Sequence, residues 1–257
     1  MTPRVSLLSR TLSIAALAIL SAACRNSEPG SLTVAAAANL TDVFGRIGEV
    51  FTRQTGMHVV FIYGSTSQLA QQIENGAPFD VFAAADTSHI DALVQAGKIL
   101  PDSRAIYARG RLALWIPPNS KAPIARPEDL AANAIRFVAI AKPEAAPYGA
   151  AAVEALRGLG IWEKVESKIV YASNINMSKQ FAATGNADAA FTAYSLVAGQ
   201  PGRAILIDPK LHRPIDQALG ILSASSRQAG ARQFAAFLAG DKSRSILSQF
   251  GYEINVK

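Results

Sequence analysis

The chain has 257 residues, of which 50% are hydrophobic and 17% are charged. This composition excludes a disordered chain and suffices for one large or two modest α/β domains. The formal net charge is +6. The basic residues are scattered and not interleaved with aromatic residues, which argues against nucleic-acid binding. With one cysteine, no internal disulfide forms, and the three histidines lack the spacing of metal ligands.

The first 23 residues predict a secretory signal peptide. Arg4 and Arg10 precede the uncharged apolar run 12–23, and removal of residues 1–23 leaves a net charge of +4. Cys24 stands at the expected cleavage point, and the stretch resembles a bacterial lipoprotein signal in which that cysteine carries lipid. Ser21 departs from that pattern, so two readings stay open: a lipid anchor at Cys24, or plain cleavage. Both export the chain, with residues 24–30 as a polar tether.

A strand followed directly by a helix opens the mature chain. Residues 32–36 form an apolar run, and apolar residues recur at helical spacing over 40–51 before Gly56. Asn39 is therefore predicted at the N-cap of a helix, at the carboxyl end of a strand. Open α/β sheets bind ligands there, and a helix start offers free N–H groups to an anion. Because Asn is a common cap anywhere, this junction alone does not indicate a site.

Three later junctions have the same form. A strand at 58–63 leads into Ser65-Thr66-Ser67, a strand at 135–140 precedes Tyr148-Gly149, and a strand at 169–172 precedes residues 174–176. Between the second and third junctions, the run 105–116 is predicted to cross between two lobes. Residues 217–222 are predicted to form the return crossing. Two helices are predicted after it, at 227–239 and 242–249.

The four junctions together predict an anion site. If two lobes face each other, four helix N-termini converge on one cleft, and each carries about half a positive charge. Backbone N–H groups, the Asn39 amide and the hydroxyls of Thr66 and Tyr148 would form a cage of uncharged donors. No lysine or arginine lies at the junctions themselves. The pattern therefore indicates a small, fully ionised oxyanion held by hydrogen bonds.

The sequence gives less support to a hydrolase and leaves other binding functions open. An exported serine hydrolase with Ser65 or Ser67 as nucleophile lacks a motif for its base. A sulfate or phosphate binder of the same architecture is the nearest alternative, and a sensory or adhesive lipoprotein of the same fold also remains open.

Several segments resemble the periplasmic molybdate-binding proteins of ABC transporters, which are type II periplasmic binding proteins. They are LTVAAAANL at 32–40, LAQQIENGAPFDVF at 69–82, the Ala-Asp pair at 85–86, ATGNADAAF at 183–191 and FGYE at 250–253. The resemblance covers about residues 31–254. The long second segment is quite specific to that family.

The resemblance implies a two-lobed α/β fold of the periplasmic-binding-protein type, with the ligand cleft between lobes joined by two crossing strands. Lobe 1 would comprise residues 31–109 plus 223–257, and lobe 2 residues 110–222. It further implies a periplasmic monomer without enzymatic activity or cofactor. Such a protein binds molybdate or tungstate and delivers it to a membrane permease.

The same resemblance assigns the ligand contacts residue by residue. Many relatives have Ser where Asn39 stands, and many have Gly-Ser-Ser-Gly or Gly-Ala-Ser-Gly where this chain has Gly64-Ser65-Thr66-Ser67. Tyr194 aligns ambiguously and is either a ligand or a packing residue. The expected oxyanion contacts are Ala38, Asn39, Ser65, Thr66, Tyr148 and the Ile175 amide.

Overall fold

The computed structural model describes residues 31–254, so the signal sequence, Cys24 and the tether lie outside the described residues. Within these described residues, ten strands form two five-stranded sheets. The strands are β1 (Leu32–Ala37), β2 (Val59–Gly64), β3 (Val81–Ala84), β4 (Ala105–Gly110), β5 (Leu112–Ile116), β6 (Val138–Ala141), β7 (Ile169–Ala172), β8 (Ala189–Ala193), β9 (Arg203–Leu206) and β10 (Ile215–Ile221).

Each sheet combines parallel strands with an antiparallel portion. The first has the order β2-β1-β3-β10-β4, in which β1 runs parallel to β2 and β3, and β10 runs antiparallel to β3 and β4. The second has the order β7-β6-β8-β5-β9, in which β6 runs parallel to β7 and β8, and β5 runs antiparallel to its neighbours. The first sheet defines lobe 1 and the second defines lobe 2, which confirms the predicted two-lobed α/β fold.

Eight α-helices cover the sheets within residues 31–254. Helix α1 shows why the sequence folds this way: Val43, Phe44, Ile47 and Phe51 recur on one buried face, and Gly56 ends the helix at φ 72°. No helix in this part of the chain is long and apolar enough to span a membrane. The helices are α1 (Thr41–Thr55), α2 (Thr66–Glu74), α3 (Ser88–Gln95), α4 (Pro147–Gly158), α5 (Trp162–Val165), α6 (Ile175–Ala183), α7 (Gln228–Ala239) and α8 (Asp241–Gln249).

The chain passes between the lobes twice. It leaves the first sheet at Gly110 and enters the second at Leu112, within the predicted crossing. The return lies at 207–214, which is earlier than the predicted segment 217–222. That segment pairs with β3 and β4 because its buried, apolar residues complete the first sheet. We therefore propose that residues 215–222 belong to lobe 1, which would revise the lobe boundary drawn from the sequence.

An aromatic cluster anchors the helices of lobe 1. The ring of Phe234 in α7 is fully buried, and its centre lies 5.4 Å from that of Phe51 and 6.1 Å from those of Phe44 and Phe61. Tilted and edge-on aromatic pairs at such distances stabilise a core beyond their buried area. This cluster therefore joins α1 and α7 to the sheet that carries the first two predicted junctions.

Replacing Phe234 by alanine should lower the free energy of unfolding by about 3–5 kcal/mol, because a large cavity would remain in the core. Phe137→Ala is the matched control, since 46% of Phe137 is exposed, and it should change stability by about 0.5 kcal/mol or less. Urea denaturation measures both. Equal losses for the two variants would contradict this assignment of the core.

Candidate functional site

A small cavity lies where the two lobes meet. Its volume is about 190 Å³. Pockets for drug-sized ligands measure about 300–1,000 Å³, so this smaller space suits a small ligand. None of the lining residues is charged. They are Ala37, Ala38, Asn39, Gly64, Ser65, Thr66, Ala85, Ala146, Pro147, Tyr148 and Ile175.

The lining comes from the carboxyl ends of parallel strands in both sheets, as the ligand sites of open α/β sheets do. Helices α2, α4 and α6 begin there, at Thr66, Pro147 and Ile175. The first N–H groups of a helix have no intrahelical acceptor. The Ser65 hydroxyl accepts from the Gln68 N–H at 3.4 Å, and the Asn174 Oδ1 accepts from the Met177 N–H at 2.9 Å. Both caps bind later N–H groups, so the first N–H of α2 and of α6 is not used by its cap.

Tyr148 lines the cavity and carries a buried, neutral hydroxyl. Its side chain is 1% exposed, and its hydroxyl has no hydrogen-bond partner among the described residues. Burial raises its pKa well above 10, and the nearby Tyr252 and Tyr107 hydroxyls add to this rise without pairing with it in hydrogen-bond geometry. The phenol therefore stays protonated and can donate to an anion.

Gly110 makes room for this hydroxyl. A Cβ atom at Gly110 would lie 1.9 Å from the Tyr148 Oη, well inside van der Waals contact. Gly110 ends β4, immediately before the chain crosses into lobe 2. The crossing therefore needs glycine because of the tyrosine beside it.

Asn39 differs from the prediction. A 3-10 turn at Ala38–Leu40 precedes α1, and the Asn39 side chain caps neither element. Its Nδ2 donates instead to Gln217 Oε1 at 2.7 Å and to Tyr252 Oη at 2.9 Å. Because Gln217 Nε2 donates to the Ile215 carbonyl at 3.1 Å, the Gln217 amide orientation is fixed. The predicted Asn39 amide donor is therefore occupied within lobe 1, and the backbone N–H is what this residue can offer an anion.

The hydroxyl of Thr66, which lines the cavity, can still donate a hydrogen bond. Its Oγ1 accepts from the Ala85 N–H at 3.2 Å, and the residue is 1% exposed. A hydroxyl that accepts one hydrogen bond can still donate one. Thr66 thus resembles Tyr148 as a buried, uncharged donor.

The structure brings six of the predicted site residues together and separates one. Ala38, Asn39, Ser65, Thr66, Tyr148 and Ile175 all line the cavity, and their role in binding stays a prediction. Tyr194 does not line it. The Arg111 guanidinium lies 5.1 Å from the centre of the Tyr194 ring, and a Cβ at Gly251 would lie 2.4 Å from that ring. This placement favours packing over ligation for Tyr194.

Sequence reasoning missed four residues behind the cavity. Gly110 and Gln217 belong to the strands at the two crossings, Tyr252 lies in the FGYE segment, and Ser195 follows β8. The Ser195 Oγ lies 3.1 Å from the Asn39 carbonyl oxygen and 3.0 Å from Tyr252 Oη. Burial raises the pKa of Tyr252 to about 12, although its hydrogen bonds with Ser195 and Asn39 oppose this rise. The glycine between two arginines at the crossing was the one local signal for any of them.

Comparison with known proteins agrees with this architecture. The sequence model of the family described as bacterial extracellular solute-binding protein matches residues 32–253. Molybdate-binding protein ModA of Rhodobacter capsulatus is 38% identical over 241 residues, covering 92% of this chain and 94% of that protein. Molybdate-binding protein ModA of Azotobacter vinelandii is 35% identical over 251 residues, covering 95% and 97%.

A solved structure shows the same fold. The periplasmic molybdate-binding protein of Azotobacter vinelandii superposes with a TM-score of 0.84 at 32% identity, covering 88% of this chain and 100% of that one. The sequence match extends over both lobes and includes every residue that lines the cavity. The chain belongs to the bacterial extracellular solute-binding protein family.

Proposed function

We propose that this protein captures molybdate or tungstate outside the cytoplasm and delivers it to the permease of an ABC transporter, without catalysis and without a cofactor. One observation carries the proposal. Tyr148, whose buried hydroxyl has no hydrogen-bond partner among residues 31–254, lines a small cavity whose lining is uncharged and includes three helix starts. Relatives at 35% and 38% identity that are named molybdate-binding proteins support the choice of ligand.

The chemistry of the lining fits a fully ionised oxyanion. A buried polar donor without a partner costs about 1–3 kcal/mol, which an anion oxygen at the Tyr148 hydroxyl would recover. Helix N-termini stabilise negative charge through their free N–H groups and dipoles. No cationic side chain lines the cavity, so size and hydrogen-bond geometry must distinguish molybdate from sulfate.

Phosphate is the second candidate, on one observation. The Asn39 Oδ1 is buried and has no hydrogen-bond partner in the described part of the chain. A protonated oxyanion needs such an acceptor, whereas molybdate does not. Against phosphate, the lining of the cavity contains no carboxylate, which would accept a proton more strongly.

Hydrolysis is not supported by the two serines at the start of α2. The Ser65 Oγ donates to the Gln68 Oε1 at 2.9 Å, and the Ser67 Oγ donates to the Glu144 carbonyl oxygen at 3.0 Å. An amide oxygen and a peptide oxygen are not general bases.

Export and anchoring complete the proposal. Membership in an extracellular family supports the reading of residues 1–23 as a signal peptide. We propose that the mature protein is a monomer held at the membrane by lipid on Cys24. The mass of the mature N-terminus would distinguish a lipidated Cys24 from a free thiol, and light scattering would measure the oligomeric state.

Calorimetric titration with molybdate, tungstate, sulfate and phosphate tests the assigned ligand. We expect tight binding of molybdate and tungstate and weak or absent binding of sulfate and phosphate. Each misfitted hydrogen bond should cost about 1–3 kcal/mol. Binding of phosphate or sulfate without binding of molybdate would overturn the assignment.

Tyr148→Phe should weaken molybdate binding about 10- to 150-fold, since it removes a hydrogen bond to a charged ligand worth about 1.5–3 kcal/mol. The melting temperature without ligand should hardly change because the hydroxyl has no hydrogen-bond partner within residues 31–254. Tyr63→Phe is the control: its hydroxyl donates to the Thr41 carbonyl at 3.2 Å, away from the cavity lining. The control should lose a little stability and keep its affinity.

If Tyr148→Phe lost stability and kept its affinity while Tyr63→Phe lost affinity, the assigned role of Tyr148 would be contradicted. Gly110→Ala offers a second test, since its new methyl group must displace the Tyr148 hydroxyl. Gly110→Ala should weaken molybdate binding even though Tyr148 and Tyr63 are both unchanged.

Affinity for molybdate should be constant between about pH 7 and pH 9, because the raised pKa values keep Tyr148 and Tyr252 protonated. Above about pH 10 the fold should lose stability, since a tyrosine whose pKa is raised in the native state ionises more readily once unfolded. Titration calorimetry and thermal melts across this range measure both effects. A tenfold loss of affinity by about pH 9 would mean that one of these hydroxyls, or another group at the site, ionises there.

A further inference from the structure

Ser67 of lobe 1 forms hydrogen bonds with lobe 2 beside the cavity. The Ser67 Oγ donates to the Glu144 carbonyl oxygen at 3.0 Å, and its N–H donates to the Ala145 carbonyl oxygen at 3.2 Å. Ser67 is the second residue of α2, next to the cavity residue Thr66. Glu144 and Ala145 lie in the loop that leads to α4 and directly precede the cavity residue Ala146.

A serine of lobe 2 makes the reciprocal contact. Ser195 lies in the 3-10 turn that follows β8, and it is buried. Its single hydroxyl proton can go to the Asn39 carbonyl oxygen at 3.1 Å or to the Tyr252 Oη at 3.0 Å. Both acceptors belong to lobe 1, so either choice joins the lobes.

The lobe 1 acceptors for Ser195 are themselves fixed. The Tyr252 hydroxyl donates to the Asn39 carbonyl at 3.0 Å, and the Asn39 amide donates to Gln217. Gln217 lies in β10 where the register against β4 shifts by a bulge. The contact between the lobes is thereby connected to a strand at the crossing.

We propose that Ser67 and Ser195 are positioning residues that hold the lobes closed around the bound anion and so set its rate of release. This inference rests on the proposed function. Both hydroxyl contacts join residues of different lobes, so they stabilise the closed arrangement and neither lobe by itself. Removing one should therefore speed release of the anion and leave its capture by the open protein unchanged.

The expected size follows from the strength of a neutral hydrogen bond. One such bond corresponds to about a 2- to 12-fold change in an equilibrium constant. Ser67→Ala and Ser195→Ala should each raise the dissociation rate of molybdate by about that factor. Ser67→Thr retains the hydroxyl at a partly exposed position and should release molybdate at the wild-type rate.

Ser120→Ala is the matched control. The Ser120 Oγ donates to the Asp188 carbonyl oxygen at 2.8 Å, which is the same kind of bond. Asp188 directly precedes β8 and Ser120 follows β5, so this bond lies within lobe 2. Ser120→Ala should therefore leave the dissociation rate of molybdate unchanged.

The experiment measures release of radioactive molybdate from the full mature protein into excess unlabelled molybdate, with association rates and ligand-free melting temperatures for every variant. Faster release with unchanged association supports the proposal, and wild-type release rates in both alanine variants reject it. If Ser195→Ala does not fold, Ser67→Ala and Ser67→Thr still decide the question. A wild-type protein that binds no molybdate would reject the proposed function, and this inference with it. Binding with unchanged release rejects this inference alone.

Discussion

The proposed function depends on holding a charged ion in a cavity that no charged side chain lines. Removing an ion from water is expensive unless fixed dipoles and hydrogen bonds replace its hydration. In the proposed site, such groups would come from the starts of α2, α4 and α6 and from the Thr66 and Tyr148 hydroxyls. Small residues such as Ala38, Ala85 and Ala146 line the rest, which lets the backbone approach the ion closely. An uncharged lining is therefore the consequence of building the site from main-chain groups.

The same constraint explains why the site adjoins the crossing between the lobes. Gly110 and Gln217 lie in the strands at the two passages of the chain, and each contacts a residue that lines the cavity. An ion bound in this cavity would therefore lie close to both passages of the chain between the lobes. Fold and binding share the same residues at this point, so variants there must be compared by affinity and by stability together.

Much of this arrangement was predictable from the sequence because it is local. Apolar periodicity located the strand-to-helix junctions, and Ser65 and Asn174 bind helix N–H groups as small polar residues at such junctions do. Asn39 was misplaced because its side chain has a stronger alternative than capping. Its partners Gln217 and Tyr252 are 178 and 213 positions away in the chain. No local pattern reveals such contacts, since the antiparallel pairing of β10 places Gln217 and the bridge between Arg109 and Glu253 places Tyr252. The proposed shift of the return crossing to residues 207–214 has the same reason: an apolar run does not show which sheet it will join.

The most direct test of the account is a crystal structure of the protein grown with molybdate, with the metal located by its anomalous scattering. The account predicts one molybdenum peak in the cavity, with oxygens within hydrogen-bond distance of the Asn39 and Ile175 N–H groups and of the Thr66 and Tyr148 hydroxyls. A peak held by lysine or arginine side chains elsewhere on the molecule would contradict it.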